Sequence, residues 1–597
     1  MLTFILAWNA VTKGIDMFAH PRTIEALLHS PDQFVIPLFQ RFYVWEPKDW
    51  ERLWSDITEM LEPGAPREHF MGSLVCMQVD KEPGQAPQYL VIDGQQRLTT
   101  FVILLCALRD EARATHADKI AGNIQDNFLT HGYKEGLDHY RVVPRLRDRQ
   151  SLFDLVDADG TDEPDDTAIR INQAYLFFRK RFQASAGDLG EESIETQGER
   201  LKRIFTVVTA QFSVVMITLQ KDLNENPFAI FETLNSTGQK LEEADLIRNH
   251  VFMQVPLSQQ DHFDETLWQP FEDSFQAADG YDAIKLTDFY RDYLMHDGQY
   301  IRPSEVYIAF RDQMNAQDTK PTELAHKLAR YAKYYRWMHR PQTMSNAHVR
   351  TELESLSRLR LTTAFPLVMH LLNLHDEDAL STGDLSQCLR AIQSFAIRRS
   401  ITGESTRPYS RFFPLAIRDI RSDSALPSLV AVLAKRGWPD DGRFLPSLAT
   451  FPIYRSEQSM LRLFLLKLEE QVKHKEPVNV ALLLAENKLQ IEHVMPQTIG
   501  DDVDGEAWKA MLGLDWQEVQ SVLLHTLGNL TLTGYNPELS NRAFTTKRDE
   551  LKKSHLELNR AIAERGTWNS DTIRERGEQL AVRVAKLWPS ALGFAGD

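Results

Sequence analysis

The segment QIEHVMPQ at positions 490–497, followed by LGNLTLT at 527–533, decides the interpretation of the C-terminal part of this chain. The first segment is typical of a short strand that carries a Glu-His pair. The second is typical of a strand that opens with an asparagine. Another asparagine, Asn536, stands where a helix is expected to begin. The order of these parts predicts a small ββα element with polar side chains at the ends of its strands.

The residue types in this element point to metal-assisted hydrolysis of a phosphodiester. Such chemistry needs a neutral imidazole to deprotonate a water and an oxygen-ligated cation to stabilise negative charge. His493 is the candidate base, and Asn529 is expected to hold either the backbone or the imidazole in place. Glu492 and Asn536 offer oxygen ligands suited to Mg²⁺ or Mn²⁺. Asn541 is an alternative to Asn536, because the spacing alone does not decide between them.

A second signal is the segment VIDGQQRLTT at positions 91–100, which predicts a strand, a turn and the start of a long apolar helix. Gly94 allows a sharp turn, and the following helix N-terminus offers unpaired N–H groups to an anion. Arg97 adds a fork of donors for phosphate oxygens. A metal, a water or a base could be held by the other side chains of the turn, Asp93, Gln95 and Gln96. An ordinary strand-turn-helix with a surface arginine would fit this segment if it stood alone.

These segments resemble a known family. VIDGQQRLTT, with IPLFQRFYVW at 36–45 and FAIFETLNSTG at 228–238, resembles the ParB-like nucleotide-binding module of GmrS. The region 492–547 is similar to the HNH (ββα-metal) module of GmrD. Together the chain resembles a single-chain GmrSD-type (type IV) modification-dependent restriction enzyme, a group that includes BrxU and SspE. The middle of the chain, roughly 256–425, shows little resemblance to known families.

The resemblance implies roles for residues that the physical argument leaves open. It implies that the DGQQR motif binds and hydrolyses a nucleoside triphosphate (GTP, UTP, CTP or ATP, without a stated preference). Gln40 and Arg41 are expected beside the motif, and a loop with Asn235, Thr237 and Gly238 is expected to close the same pocket. The aromatic residues of the QRFYVW segment alternate as in a buried strand face, so we expect core packing rather than base stacking.

The implied activity is NTP-regulated cleavage of phage double-stranded DNA in antiviral defence. The implied targets are modified cytosines, such as glucosylated hydroxymethylcytosine, or a modified backbone. A homodimer is compatible with this expectation. Two alternatives remain open: a toxin-like general nuclease, and an NTP-switched nucleic-acid-binding protein whose HNH element is inactive.

Composition agrees with a large cytoplasmic protein of several domains. The chain has 597 residues and 43 % hydrophobic content, and its three widely spaced cysteines make a disulfide framework or a zinc ribbon improbable. No apolar run is long enough to span a bilayer, so no membrane partner is expected. The net charge of −17 argues against an extended phosphate-binding surface, although such footprints are local.

Basic residues nevertheless cluster in three places. Lys547 and Arg548 follow the asparagines of the ββα element on a helix and are predicted to contact DNA phosphates. Arginines within 141–149 and within 398–421 are equally well explained as solvated helical faces.

The sequence predicts a mostly helical α+β chain. We expect an N-terminal extension over 1–16 and a ParB-like α/β domain over 17–255. A helical middle domain is expected over 256–425, and a helical domain carrying the ββα nuclease element over 426–597.

Overall fold

The computed structural model describes residues 18–37, 40, 42–79, 87–158, 164, 166–184, 197–219, 242–277, 283–472 and 478–594. The chain divides into two compact units, Met1–Pro270 with Gln317–Thr322, and Phe271–Ala316 with Glu323–Asp597. Helices dominate, and a mixed sheet lies in the first unit. A mostly helical α+β chain is therefore confirmed, while the ParB-like assignment and the predicted domain boundaries stay predictions. In the described ranges no helix has the length and apolar character needed to cross a bilayer.

The first unit is built on six strands with helices around them. The strands are β1 Phe18–Thr23, β2 Gln33–Val35, β3 His69–Val79, β4 Gln88–Asp93, β5 Val142–Val143 and β6 Phe212–Leu219. The helices are α1 Ile24–Leu28, α2 Pro47–Met60, α3 Gln95–Ala114, α4 Asp118–Ile124, α5 Leu146–Asp157, α6 Arg170–Ala184, α7 Gln197–Thr206, α8 Glu243–Met253 and α9 Leu257–Phe263.

The sheet has the strand order β1-β6-β3-β4-β2-β5. The β1–β6 and β3–β4 pairs are antiparallel, and β3–β6, β4–β2 and β2–β5 are parallel. Helix α3 forms the centre of the core, since residues 98–108 are at most 3 % exposed. That burial explains why the run after DGQQR is apolar on every side.

The QRFYVW segment packs into the same core, as its aromatic pattern predicts. The Tyr43 hydroxyl shares a hydrogen bond with Thr100 Oγ1 at 2.8 Å and accepts one from Trp50 Nε1 at 2.8 Å. Trp45 is partly buried against the same cluster. The backbone of 42–46 is irregular rather than a strand, so the predicted core packing is confirmed and the strand is not.

The remaining helices follow in chain order to the C-terminus. They are α10 Gln269–Asp273, α11 Leu286–Met295, α12 Val306–Gln317, α13 Pro321–His339, α14 Ala347–Arg358, α15 Phe365–Asp376, α16 Thr382–Ile401, α17 Tyr409–Ala416, α18 Ala425–Lys435, α19 Asp441–Thr450, α20 Ile453–Ser456, α21 Gln458–Glu470, α22 Val480–Ala485, α23 Val503–Leu512, α24 Trp516–Leu523, α25 Asn536–Leu539, α26 Phe544–Leu551, α27 Glu557–Ala563 and α28 Ser570–Leu587. Strands β7 Gln490–His493 and β8 Leu530–Thr533 lie among them.

Strands β7 and β8 form an antiparallel pair between two hydrophobic clusters. Glu492 stands opposite Thr531, and His493 stands opposite Leu530. Leu530 and Leu532 belong to one cluster with α21 and α28. The chain that continues from β7 enters the other cluster, with Trp508, Phe544 and Trp568. Burial on both sides fixes the register of this pair, which in turn fixes the direction of its polar side chains.

Asp292 on α11 makes the stability of the second unit depend on pH. It accepts a hydrogen bond from the Tyr335 hydroxyl at 3.2 Å, and burial raises the pKa of Asp292 from 3.8 to about 7. A carboxyl with a raised folded pKa favours folding at low pH, and this contribution is lost as the pH rises from about 4 to 7. Three pKa units correspond to about 4 kcal/mol. Partial solvent contact of the side chain reduces this effect to about 2 kcal/mol.

Asp292→Asn is therefore expected to raise the free energy of unfolding by about 2 kcal/mol at pH 8 and by less at pH 5. Urea unfolding at the two pH values measures the difference. An equal gain at both values would contradict the assignment of a raised pKa.

Candidate functional site

The DGQQR motif is fastened to strand β3 through Arg97. Its Nη1 and Nη2 donate to the carbonyls of Met71 and Ser73, each at 2.6 Å, and Asp93 lies 3.7 Å from Nη2. The guanidinium lies so close to Gly72 (φ 102°) that a Cβ there would come within 2.0 Å of Nη1. Burial lowers the pKa of Arg97. Arg97 thus ties the motif to the irregular part of β3, and its predicted phosphate contact stays a prediction.

The turn itself requires glycine. Gly94 follows β4 and precedes α3 with φ at 96°, in the left-handed region. A Cβ at this position would lie 2.9 Å from the Leu74 side chain and 3.1 Å from the Ser73 carbonyl. A larger residue would force the turn away from β3. The N–H groups at the start of α3 are therefore brought close to the sheet.

Two of the predicted glutamines support the backbone around the motif. Gln96 accepts a hydrogen bond from the Val44 N–H at 2.9 Å and donates to the Phe42 carbonyl at 3.0 Å. The buried Gln40 donates to the Ile92 carbonyl at 2.8 Å. The structure therefore brings the QRFYVW segment and the DGQQR turn together, as predicted, and shows these two amides engaged with main chain.

Gln95 and Asp93 are the side chains of the motif that remain available to contact a ligand. Gln95 is 6 % exposed, and its side chain makes no hydrogen bond within the ranges that the structure describes. The Asp93 side chain is 42 % exposed. The adjoining cleft, lined by Gly94 and Arg97 among others, has a volume of only about 10 Å³. This cleft beside the motif is therefore too small for a nucleotide. The other predicted pocket residues, Arg41, Asn235, Thr237 and Gly238, lie outside the described residues.

In the C-terminal element, Glu492 has an internal partner. Lys547 Nζ on α26 donates to a Glu492 carboxylate oxygen at 2.7 Å and to the His493 carbonyl at 2.9 Å. The Lys547 side chain is fully buried. Burial raises the pKa of Glu492 and lowers the pKa of Lys547. Lys547 therefore acts as the counter-charge of Glu492 in this structure, and its predicted contact with DNA phosphate stays a prediction.

Arg548 is the next residue on α26 and differs from Lys547 in exposure. Its side chain is 35 % exposed and lies 3.8 Å from the Asp549 carboxylate. That long, exposed ion pair constrains it little. The predicted contact of Arg548 with DNA phosphate also stays a prediction.

His493 is a buried imidazole with one nitrogen engaged. Its Nε2 lies 3.2 Å from Nδ1 of His525, and its ring packs edge-on against Tyr454 with ring centres 4.4 Å apart. The other nitrogen, Nδ1, has no hydrogen-bond partner among the residues that the structure describes. Burial, followed by the neighbouring His525 and Lys547, lowers the pKa of His493 to about 3. The ring is therefore neutral at physiological pH, as a proton acceptor must be.

Asn529 holds the backbone that follows His493. Its carbonyl oxygen accepts from the Met495 N–H at 2.7 Å and from Trp568 Nε1 at 3.0 Å. Its amide donates to the Met495 carbonyl at 3.1 Å and to the Leu524 carbonyl at 3.0 Å. The side chain is completely buried. Of the two roles expected for Asn529, the structure shows the one that fixes the main chain.

Asn536 offers an unpartnered oxygen near Glu492. Its Nδ2 donates to Gln490 Oε1 at 3.1 Å, and its Oδ1 is buried without a hydrogen-bond partner. Gln490 and Glu492 lie on one face of β7, since alternate strand residues point the same way. A buried, unsatisfied oxygen on this face fits a ligand for a hard cation. Asn541 is exposed.

A cation here would be held by carboxylate and amide oxygens. Within the described ranges, no group of three or more His, Cys, Asp or Glu side chains could hold a metal ion. Oxygen ligands of this kind suit Mg²⁺, which binds through few protein oxygens and keeps several waters.

His525, Tyr454 and the internal role of Lys547 were missed in the sequence. His525 shares no strand with His493 and is separated from it by two helices. No spacing rule connects them, because the contact depends on how α20 and α24 pack beside β7. The one available signal was that His525 stands four residues before Asn529 in the segment that leads into β8.

Two family descriptions match the chain at the two places described above. Residues 24–252 match "GmrSD restriction endonuclease, N-terminal domain", and residues 438–583 match "GmrSD restriction endonucleases, C-terminal domain". The first range contains the DGQQR turn, and the second contains β7, β8 and α26. No match was found among curated proteins.

Proposed function

Because the chain belongs to the GmrSD restriction endonuclease family, we propose that it cleaves DNA by metal-assisted phosphodiester hydrolysis at the β7–β8 hairpin. The observation that carries this proposal is the neutral, buried His493 beside Glu492, with the following main chain fixed by Asn529. A base and an oxygen ligand held by a rigid hairpin are the parts that this chemistry needs.

His493 would take the proton of the attacking water at Nδ1. Its Nε2 is engaged with His525, which sets the orientation of the ring. Asn529 prevents the segment after His493 from shifting, so the base keeps its position during the reaction. His525 and Asn529 are therefore positioning residues rather than groups that meet the substrate.

Glu492 and Asn536 would hold the cation, with Asn541 as the alternative to Asn536. A bound Mg²⁺ or Mn²⁺ supplies stabilisation of negative charge on the phosphate and on the leaving oxygen. Lys547 keeps Glu492 in place through its bonds to the carboxylate and to the His493 carbonyl. Lys547 therefore contacts both the proposed metal ligand, Glu492, and the main chain of the proposed base, His493.

The substrate that we propose is double-stranded phage DNA with modified cytosines or a modified backbone, cleaved under control of a nucleoside triphosphate bound at the DGQQR motif. The family resemblance supports this substrate, and the intact DGQQR turn supports the nucleotide. A general nuclease is the alternative.

One cleavage panel separates a modification-dependent nuclease from a general one: the same duplex unmodified, hydroxymethylated, glucosylated and phosphorothioated, with and without each NTP. We expect cutting of at least one modified form, changed by an NTP, and little cutting of the unmodified duplex. Equal cutting of all four forms would reject modification dependence.

Asn536→Ala is expected to weaken metal activation of cleavage more than Asn541→Ala does. The buried Asn536 Oδ1 has no other partner in the described part of the chain, whereas Asn541 faces solvent. We expect the Mg²⁺ concentration for half-maximal cutting to rise by roughly 10–100-fold for Asn536→Ala, and EDTA to stop cutting by wild type. A larger shift for Asn541→Ala would transfer the ligand role to Asn541.

Arg97→Ala is expected to abolish NTP hydrolysis. The change removes the donors that hold the Met71 and Ser73 carbonyls and the charge expected to meet a phosphate, at a cost of roughly 2–5 kcal/mol in binding. Arg113→Ala is the matched control, because Arg113 lies on the same helix, donates to the Ala158 carbonyl and pairs with Asp110 rather than with the DGQQR turn. Circular dichroism verifies the fold of both variants.

DNA cutting measured on the same Arg97→Ala and Arg113→Ala preparations should change in Arg97→Ala if nucleotide state controls the nuclease. Lost hydrolysis with unchanged cutting at every NTP concentration would end that coupling.

A further inference from the structure

The arginine cluster within 398–421 contains two structurally different groups. Arg398 is fully buried and donates to the Trp588 and Pro439 carbonyls. Arg399 is also buried and donates to the Gly437 carbonyl. These two residues support the interior of the second unit. The arginines that reach solvent come later, and Arg411 on α17 is one of them.

Arg411 lines an open cleft of about 490 Å³. The other lining residues are Tyr300, Arg302 and Glu305, all from the segment between α11 and α12. The Arg411 guanidinium lies 5.8 Å from the centre of the Tyr300 ring. Arg291 on α11 lies 5.9 Å from the same ring. The volume falls within the roughly 300–1,000 Å³ of small-ligand sites, so the cleft can hold a nucleotide unit.

The loop that carries Tyr300 is fixed by two arginines. Arg418 Nε donates to the Gly298 carbonyl at 2.6 Å, and Arg291 Nε donates to the Ile301 carbonyl at 2.9 Å. Gly298 has φ at 95°, and a Cβ there would lie 2.7 Å from Arg418 Cγ. The close approach needs glycine, and it holds the tyrosine against α17. The cleft is therefore built by specific contacts on both sides.

The charge of the cleft is positive although the chain as a whole carries −17. Glu305 pairs with Arg302 at 3.2 Å. Arg411 and Arg291 form no ion pair within the described ranges. Guanidinium groups held against an aromatic ring lose little freedom on binding, and their planar donors match phosphate oxygens. The lining carries two arginines and one glutamate, so its net positive charge favours an anionic ligand.

We propose that this cleft binds the phosphodiester backbone of the DNA at a point separate from the β7–β8 hairpin. The inference rests on the proposed DNA-cleaving function and adds a second contact, on helices that the sequence left unassigned. A phosphate seated there would be held by Arg411 and Arg302 and would fix the position of the duplex on the second unit. Contacts of this kind carry no base sequence information, so duplexes with modified and with unmodified bases would use the cleft equally.

Arg411→Gln tests the proposal, with Arg330→Gln as the matched control. Arg330 lies 5.7 Å from the Tyr331 ring on α13 and is also partly exposed, but it does not line the cleft. Binding of a short duplex by the full chain is measured by fluorescence anisotropy in EDTA over a range of salt concentrations. Arg411→Gln is expected to weaken binding about tenfold and to reduce the slope of log K against log salt by about 0.9, the value for one phosphate contact. Arg330→Gln should change neither quantity.

Three outcomes would overturn the proposal, and they are distinguishable. Equal affinity and salt slope for Arg411→Gln and Arg330→Gln would remove the cleft from DNA binding while leaving the nuclease intact. Loss of binding to a fluorescent nucleoside triphosphate in Arg411→Gln, with DNA affinity unchanged, would assign the cleft to a free nucleotide. Absence of DNA binding by wild type would reject the proposed function and the cleft together. Thermal unfolding at the wild-type temperature shows that each variant is folded.

Discussion

His493→Ala is expected to lower DNA cleavage by roughly 10²–10⁴-fold, the contribution of a positioned general base. The imidazole is neutral, since burial lowers the pKa of His493 to about 3, and its Nδ1 is free of hydrogen bonds in the described ranges. The Nδ1 atom of the neighbouring His525 is already engaged with His493 Nε2 at 3.2 Å. His525 is therefore not placed to take over the proton.

His555→Ala provides the matched control for this prediction. His555 lies in the same unit, is exposed and stands outside the hairpin. Its removal should leave cleavage unchanged. NTP hydrolysis by His493→Ala should also be unchanged, because the DGQQR motif belongs to the other compact unit. Cleavage by His493→Ala at the rate of His555→Ala would remove His493 from the mechanism.

Asn529→Ala is expected to lower the free energy of unfolding by roughly 3–5 kcal/mol and to abolish cleavage. The change leaves the Met495 N–H and carbonyl, the Leu524 carbonyl and the Trp568 indole N–H without partners in a fully buried place. Each unsatisfied buried group costs about 1–3 kcal/mol, with some relief by relaxation. The chain after His493 also loses its anchor, so the base loses its position.

Asn559→Ala separates the loss of stability from the loss of cleavage. Asn559 is equally buried, accepts from Thr531 Oγ1 at 2.6 Å and donates to the Leu532 carbonyl at 2.8 Å. It supports β8 but does not touch the segment after His493. Chemical denaturation should show a comparable loss for both variants. Cleavage measured well below both unfolding transitions should be lost only in Asn529→Ala. Equal cleavage by the two variants would mean that Asn529 acts through stability alone.

Local pattern was sufficient to predict the elements that carry both motifs. The two strands of the hairpin, the helix entry at Asn536 and the strand-turn-helix around Gly94 all follow from apolar runs bounded by turn residues. The second strand, however, begins at Leu530 rather than at Asn529, which ends a short 3-10 turn. These features depend on residues that are neighbours in the sequence, so the local sequence pattern is enough to predict them. The same is true of the buried helix α3, whose apolar run is long and uninterrupted.

Partners across the fold could not be predicted in the same way. The sequence indicated Arg97 and Lys547 as cations for phosphate, whereas the structure pairs Arg97 with β3 carbonyls and Lys547 with Glu492. Each pairing joins residues that are tens of positions apart and depends on tertiary packing. A cation in a motif looks the same in the sequence whether it meets a ligand or the protein itself. His525 was overlooked for the same reason.

Locating the metal on the chain shows directly whether the β7–β8 hairpin binds it. Fe²⁺ can replace Mg²⁺ at oxygen sites, and with ascorbate and peroxide it cuts the polypeptide beside the place where it binds. We expect cuts within 490–495 and 533–541, suppressed by excess Mg²⁺ and absent from Glu492→Ala. Cuts confined to other parts of the chain, or the same cuts in Glu492→Ala, would contradict a metal-dependent nuclease centre at the β7–β8 hairpin.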